Sequence, residues 1–217
     1  MTSNDHLRAE MVARDIAGRD VRDERVLDAM RAVPREVFVP EAWRTHAFDD
    51  RPLPIEADQT ISQPYIVALM AEALQLRGDE HVLEVGAGSG YAAAVLARLA
   101  ARVDAVECVP LLAEGAARRL ADLGVKNVQL HCADGSLGWP AGAPFDAISV
   151  AAGGPRVPSA LREQLAVGGR LVMPVGAGRH GQDLVRVTRT REQGFRTETL
   201  GQVSFVPLTG AQGWPAA

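Results

Sequence analysis

The sequence predicts an α/β protein with a mostly parallel, doubly wound sheet, antiparallel strands at its C-terminal end and an N-terminal helical cap. Three observations carry that expectation. Residues 81–98, HVLEVGAGSGYAAAVLAR, read as a short apolar strand, a glycine turn and an alanine-rich helix. Strand-like runs then alternate with amphipathic segments as far as Val175, the pattern of a parallel sheet with helices on both faces. Beyond Gly176 that alternation stops. Leu184, Val185 and Val187, then Phe195 to Val206, read as two closing strands with no long helix between them.

The glycine turn is the first candidate site. Gly86, Gly88 and Gly90 permit positive φ and bring a ligand against bare backbone at a helix N-terminus, where unpaired N–H groups favour an anion. A purely structural turn also accounts for them. The spacing G-x-G-x-G departs from the dinucleotide fingerprint G-x-G-x-x-G, and Glu84 stands just before the loop. A carboxylate there repels a pyrophosphate but suits an ammonium or sulfonium group. S-adenosylmethionine has both, with a carboxylate for the helix end. Arg102–Glu107 (RVDAVE) reads as a second strand ending in an acid about 20 residues beyond the glycines, the place of a ribose-hydroxyl ligand. Glu84 and Glu107 together favour S-adenosylmethionine over NAD, leaving a nicotinamide-dependent oxidoreductase as the competitor from another class and a catalytically silent binding module as a third reading.

Composition removes several classes. The 217 residues are 47% hydrophobic and 23% charged, which suits one well-buried domain. The formal charge of −4 gives no basic footprint for nucleic acid, and Lys126 is the only lysine. Cys108 and Cys132 form no C-x-x-C pair, and the five histidines show no metal-ligand spacing, so no metal is expected. The polar N-terminus lacks a signal peptide and no run of about 18 apolar residues occurs, so a cytoplasmic protein without a membrane partner is expected.

Taken in order, Asn4 or Asp5 caps a first helix that runs to about Ala17 and ends at Gly18; Val26, Leu27, Met30 and Val33 mark a second, stopped by Pro34. Pro34–Pro40 is a short turn or helix burying Val37 and Phe38, and residues 47–58 are loop. This strand-free cap either stabilises the core or closes over substrate. Ser62 is a good N-cap for a helix carrying Ile66, Leu69, Met70 and Ala73 on one face, with Pro64 in its first turn. Further elements are a helix from Leu111 to Leu123, strands Val128–Cys132 and Phe145–Val150, a helix from Ser159 to Leu165, a Gly168–Gly169 stop and strand Arg170–Val175. The loop GAGRHGQ follows. Asp134 at the end of the third strand either accepts from an adenine amino group or makes an Asp-Gly turn with Gly135. The chain reads as one domain: cap and loop over 1–58, cofactor-binding core over 59–176, and C-terminal strands contributing to the substrate site over 177–217.

No nucleophile elbow and no asparagine-proline-proline-aromatic motif is present. A methyl acceptor that needs little activation fits that absence, and a carboxylate is already ionised at neutral pH. Several segments then carry a resemblance: VPREVFVP (33–40), RPLPI (51–55), QTISQPY (59–65), VLEVGAGSGY (82–91), DGSLGWP (134–140), APFDAI (143–148), GGRLVMPVG (168–176) and FVPLT (205–209). They resemble the protein-L-isoaspartate O-methyltransferase family from about Met11 to Trp214, with TISQP and FVPLT the most specific.

The resemblance implies a Rossmann-like S-adenosylmethionine-dependent methyltransferase fold. It also implies methylation of the free carboxylate of L-isoaspartyl, and some D-aspartyl, residues in damaged proteins, with S-adenosylhomocysteine as product and the ester collapsing to a succinimide. A monomer is expected. Matched to the family's motifs, Ser62 is the active-site serine, with Thr60 and Ile61 beside it on the substrate. Gly86 and Gly88 match the family's cofactor loop, Glu107 its ribose ligand and Asp134 its adenine-side acid; Glu84, read above from its charge, and Gly90 and Gly135 are expected at the same cofactor site. Val206, Pro207 and Leu208 hold the substrate peptide through backbone hydrogen bonds. The chain departs from the family pattern at Asp58 (usually glycine), Ala92 (glutamine), Cys108 (arginine) and Gly153-Gly154 (an alanine pair). Cys108 reads as a small buried hydrophobe. A scaffold of this kind adapted to an ordinary aspartate is the close alternative.

Overall fold

Strand order decides where a ligand can lie. The computed structural model describes residues 2–178, 181–192 and 194–215. After α1 (Ser3–Met11) and α2 (Glu24–Ala32) come the short strands β1 (Leu53–Pro54) and β2 (Thr60–Ile61), then α3 (Pro64–Ala73). The core continues with β3 (His81–Val85), α4 (Tyr91–Leu96), β4 (Arg102–Glu107), α5 (Pro110–Asp122), β5 (Val128–Cys132), β6 (Phe145–Val150), α6 (Ser159–Gln164) and β7 (Leu165–Val175). The strands β8 (Gln182–Arg189) and β9 (Phe195–Val203) close the sheet in the order β5-β4-β3-β6-β7-β8-β9. β3 pairs in parallel with both β4 and β6, while β7, β8 and β9 are antiparallel neighbours. The winding therefore reverses between β3 and β6, and the crevice beyond their C-terminal ends is the expected ligand position.

Local chemistry explains the elements. Pro110 starts α5, where a missing N–H costs nothing, and Gly124 at φ 69° lets the chain leave it. Side chains alternate across the sheet. Val82, Val103 and Ala105 face a core shared with the cap, α3, α4 and α5, whereas Leu83, Val85 and Val106 face a second core with Leu161 of α6. The cap is fastened to the first core by Phe38, edge-on to Tyr91 at 5.6 Å, and by the Tyr91 hydroxyl donating to Met30 sulfur.

Several sequence expectations need correction. Thr2, not Asn4 or Asp5, caps α1 through a reciprocal box with Asp5, and residues Val12–Ala17 continue it as a π-helix. Phe38 is buried but Val37 is exposed. The 47–58 loop contains a strand, because Leu53 and Pro54 pair with Ile61 and Thr60. α3 is buried nearly all round, so Ile66 and Leu69 are its less buried side. β7 begins at Leu165 and carries Gly168 and Gly169 within it. Arg179 and His180 of the GAGRHGQ loop lie outside the described residues.

On the second face Asp104, fully buried, accepts from His81 Nε2 at 2.5 Å and His131 Nε2 at 2.7 Å, with Arg102 3.1 Å away. Burial alone would raise its pKa, but hydrogen bonds from His131, His81 and Arg102 outweigh that and hold the carboxyl below the ordinary aspartate value. A depressed folded-state pKa contributes stability that is complete above the unfolded value and is lost as pH falls through the folded one. Asp104→Asn should therefore cost about 2–3 kcal/mol in urea unfolding at pH 7, the gap closing below about pH 4. An equal deficit at all pH values would show that the charge of Asp104 contributes nothing.

Candidate active site

Beyond the C-terminal ends of β3, β4 and β6 lies a cavity of about 260 Å³. Ionisable side chains on its lining are all acids or weak acids: Asp58, Glu84 and Glu107, with Tyr91 and Cys108; no lysine, arginine or histidine lines it among the described residues. Alternation places Glu84 and Glu107 on the same sheet face, aimed at one space from adjacent strands. Glu84 is fully buried and neither carboxylate oxygen has a hydrogen-bond partner. Burial, and then repulsion by Glu107, pushes its pKa well above the ordinary carboxylate range. A buried carboxylate in that condition calls for a cationic, hydrogen-bond-donating ligand.

Glu107 is held differently. Its Oε2 accepts from the Gly88 N–H at 2.8 Å and its Oε1 from the Val109 N–H at 2.9 Å. The Gly86 and Ala87 N–H groups donate to the Val106 carbonyl, so the glycine loop folds back on β4 with its backbone facing the cavity. Gly86 (φ 83°) and Gly88 (φ 54°) occupy the left-handed region. Gly135 lines the same cavity for a packing reason, since a Cβ there would stand 2.6 Å from Val85 Cγ1.

Two residues expected at the cofactor, Gly90 and Asp134, adjoin this lining without being on it. Gly90 is not on the lining; at φ 90° it starts α4, and a Cβ would press to 3.1 Å from Ala116 of α5. Asp134 is not on it either. Its Oδ1 accepts from the Ser136 N–H and hydroxyl, and its Oδ2 from the Ala211 N–H at 2.8 Å. The carboxylate thus caps the turn Gly135–Leu137 and ties down the C-terminal segment, the structural alternative for this acid.

Thr60, Ile61 and Ser62 also line the cavity, together with Val206, Pro207 and Leu208. Ser62 is not the cap of α3. Gln63 occupies the N-cap position without a side-chain bond, and Asp50 Oδ1 accepts from the Tyr65 N–H at 2.9 Å instead. The Ser62 hydroxyl makes no hydrogen bond among the described residues. Ser62 and Thr60 also border a second groove of about 370 Å³, lined by uncharged residues including Gln63, Gln202 and Ser204. Ser62 therefore stands where two openings meet.

Two backbone groups of residues 206–208 are already paired with Gly153. The Val206 carbonyl accepts from Gly153 N–H and the Leu208 N–H donates to the Gly153 carbonyl, both at 2.8 Å. Pro207, with no N–H, has only its carbonyl to offer on the other side. Cys108 is exposed and borders the cavity rather than filling a core. Sequence reasoning also missed Asp50 as the helix cap, because it lies 15 residues from the N–H it meets, and passed over Thr209 on the lining although it ends the FVPLT segment.

A family model described as protein-L-isoaspartate(D-aspartate) O-methyltransferase matches residues 6–213. The chain belongs to this family. A protein-L-isoaspartate O-methyltransferase of Rhodopseudomonas palustris is 61% identical over 204 residues, 94% of each chain. Among solved structures, a protein-L-isoaspartate O-methyltransferase superposes with TM-score 0.85 at 29% identity, over 94% of this chain and 67% of that one. A Plasmodium falciparum structure containing S-adenosyl-L-homocysteine shares the fold, with TM-score 0.79 and 23% identity over 93% of this chain and 98% of its own. The fold is that of the S-adenosylmethionine-dependent methyltransferases, with the sheet parallel except at its C-terminal strands.

Proposed function

We propose that this chain transfers the methyl group of S-adenosylmethionine to the free carboxylate of L-isoaspartyl and D-aspartyl residues, and so begins the repair of damaged proteins. The observation that carries the reading is the pairing of Glu84, buried with both oxygens unpartnered, with the unpartnered Ser62 hydroxyl across one acid-lined cavity. The residues fit the cofactor: Glu84 would take its ammonium group, Glu107 its ribose hydroxyls, and the bare backbone of Gly86 and Gly88 leaves it room. Bound there, S-adenosylmethionine supplies an electrophilic methyl group.

The chain's own part is placement. An isoaspartyl carboxylate is ionised at neutral pH, so no base is needed to activate it. Ser62 would donate its hydroxyl proton as a hydrogen bond to that carboxylate and fix its approach. Val206–Leu208, held to Gly153, wall the site against water. The methyl ester would then close spontaneously to a succinimide, part of which hydrolyses to normal aspartate. The same reading takes the enzyme to act as a cytoplasmic monomer on damaged protein, without nucleic acid or membrane. None of the described helices is long and apolar enough to cross a membrane.

Methyl transfer to a synthetic isoaspartyl peptide beside its aspartyl twin tests the reading, with label expected on the first alone; label on the second alone would overturn it. Ser62→Ala should lower kcat by about 10- to 100-fold, the scale of a lost positioning contact, while S-adenosylhomocysteine affinity by calorimetry stays unchanged. A wild-type rate would strip Ser62 of any part in transfer.

A further inference from the structure

The cavity poses an electrostatic difficulty. It is lined by Asp58, Glu84 and Glu107 without a basic side chain, yet its proposed acceptor is itself a carboxylate. The cation that touches the Ser62 side is Arg35, which lies behind the wall. Its side chain is fully buried, and no carboxylate lies within ion-pair distance among the described residues. The guanidinium instead donates to three main-chain carbonyls: Nε to Ala47 at 2.9 Å, one terminal nitrogen to Ser62 at 2.9 Å and the other to Arg51 at 3.3 Å. It also stands 5.2 Å from the ring of Tyr91, a cavity-lining residue. Burial lowers its pKa to about 10, so it remains charged at neutral pH.

A buried cation with no carboxylate in ion-pair contact is costly, since Tyr91 and Asp50 favour its charge only from a distance, and neutral donors would serve to tie loops together. We propose that Arg35 is a positioning and charge-supplying residue for methyl transfer. Its fork joins the segments at 47–51 to Ser62 and fixes the backbone that carries the Ser62 hydroxyl. Its charge, offset by Asp50 only from beyond ion-pair distance, makes this end of an acidic cavity receptive to the substrate carboxylate. The inference rests on the reading that Ser62 receives that carboxylate. The planar fork matters for the first task and the charge for the second, so lysine and glutamine separate them.

The test compares Arg35→Lys, Arg35→Gln and Ser62→Ala in the full chain, using a synthetic isoaspartyl peptide, S-adenosylhomocysteine calorimetry and thermal melts. Both Arg35 variants should lose about 10- to 100-fold in kcat/KM, through misplacement, with S-adenosylhomocysteine affinity within about twofold of wild type. Arg35→Lys should keep a lower peptide KM than Arg35→Gln. Wild-type kcat/KM in either folded variant, whatever its melting temperature, would overturn the proposal, as would a parallel loss of S-adenosylhomocysteine affinity. An equal peptide KM in the two variants would overturn the charge-supplying part. If Arg35→Gln does not fold, Arg35→Lys alone decides the positioning part, and the salt dependence of its peptide KM decides the charge. A wild-type Ser62→Ala beside impaired Arg35 variants would sink the role of the hydroxyl and leave the backbone clamp standing.

Discussion

Glu84→Gln is expected to raise the melting temperature of the ligand-free protein and to weaken S-adenosylmethionine binding at the same time. Both effects come from one fact: the wild-type carboxylate is buried with no hydrogen-bond partner for either oxygen. Removing an uncompensated buried acid relieves a desolvation cost of about 1–3 kcal/mol or more. The same removal deletes the counter-charge for the ligand's ammonium group, costing about 1.5–3 kcal/mol, or roughly 10- to 150-fold in affinity. A stabilised protein that still binds S-adenosylmethionine at wild-type strength would separate Glu84 from the cofactor.

The direction of the Glu84 pKa adds a pH signature. Burial, followed by repulsion from Glu107, raises it in the folded, ligand-free state. An acid whose folded pKa lies above its unfolded value favours folding below the unfolded value, and that contribution disappears as pH rises through the folded one. Binding a cation requires the ionised form, so cofactor affinity should fall on acidification and binding should release a proton. Calorimetry in buffers of different ionisation enthalpy measures that proton. Zero release near neutral pH would mean that Glu84 is already ionised before the ligand arrives.

Gly88→Val should abolish measurable cofactor binding, a loss of about 100-fold or more, with the fold retained. At φ 54° a β-branched residue is strained by about 1–2 kcal/mol, and its side chain stands at the cavity wall. Space behind the glycine is ordinary, since a Cβ would meet Ile55 Cδ1 only at 3.6 Å, so the protein tolerates the change. The cost falls on the ligand, because the added methyl groups stand at the cavity wall and the strain bears on the loop whose residue 88 N–H holds Glu107 at 2.8 Å. Gly88→Ala, which adds less bulk at the same φ, should lose less. Equal affinities for S-adenosylhomocysteine in wild type and Gly88→Val would place the ligand elsewhere.

By itself the sequence determined the elements whose signals are local. Alternation of apolar runs with amphipathic segments marked the parallel strands, and the change of pattern after Gly176 marked the antiparallel end. Glu84, Gly86, Gly88 and Glu107 were legible because a strand end, a glycine turn and the next strand end have fixed spacings that bring them to one crevice. Tertiary structure decided what each long-range partner was free to do. Asp134 read either as an adenine acceptor or as a turn, and the fold adds a partner that no local pattern shows, the Ala211 N–H 77 residues away. Ser62 looked like a helix cap, yet Asp50 reaches the helix first and leaves the hydroxyl unpartnered. Arg35 showed only as one of two adjacent charges, with Glu36, in the segment PREVFVP, and its importance lies in carbonyls 12, 16 and 27 positions away. Side-chain periodicity is a property of neighbours along the chain, whereas hydrogen-bond capacity is claimed by whichever group the fold brings closest.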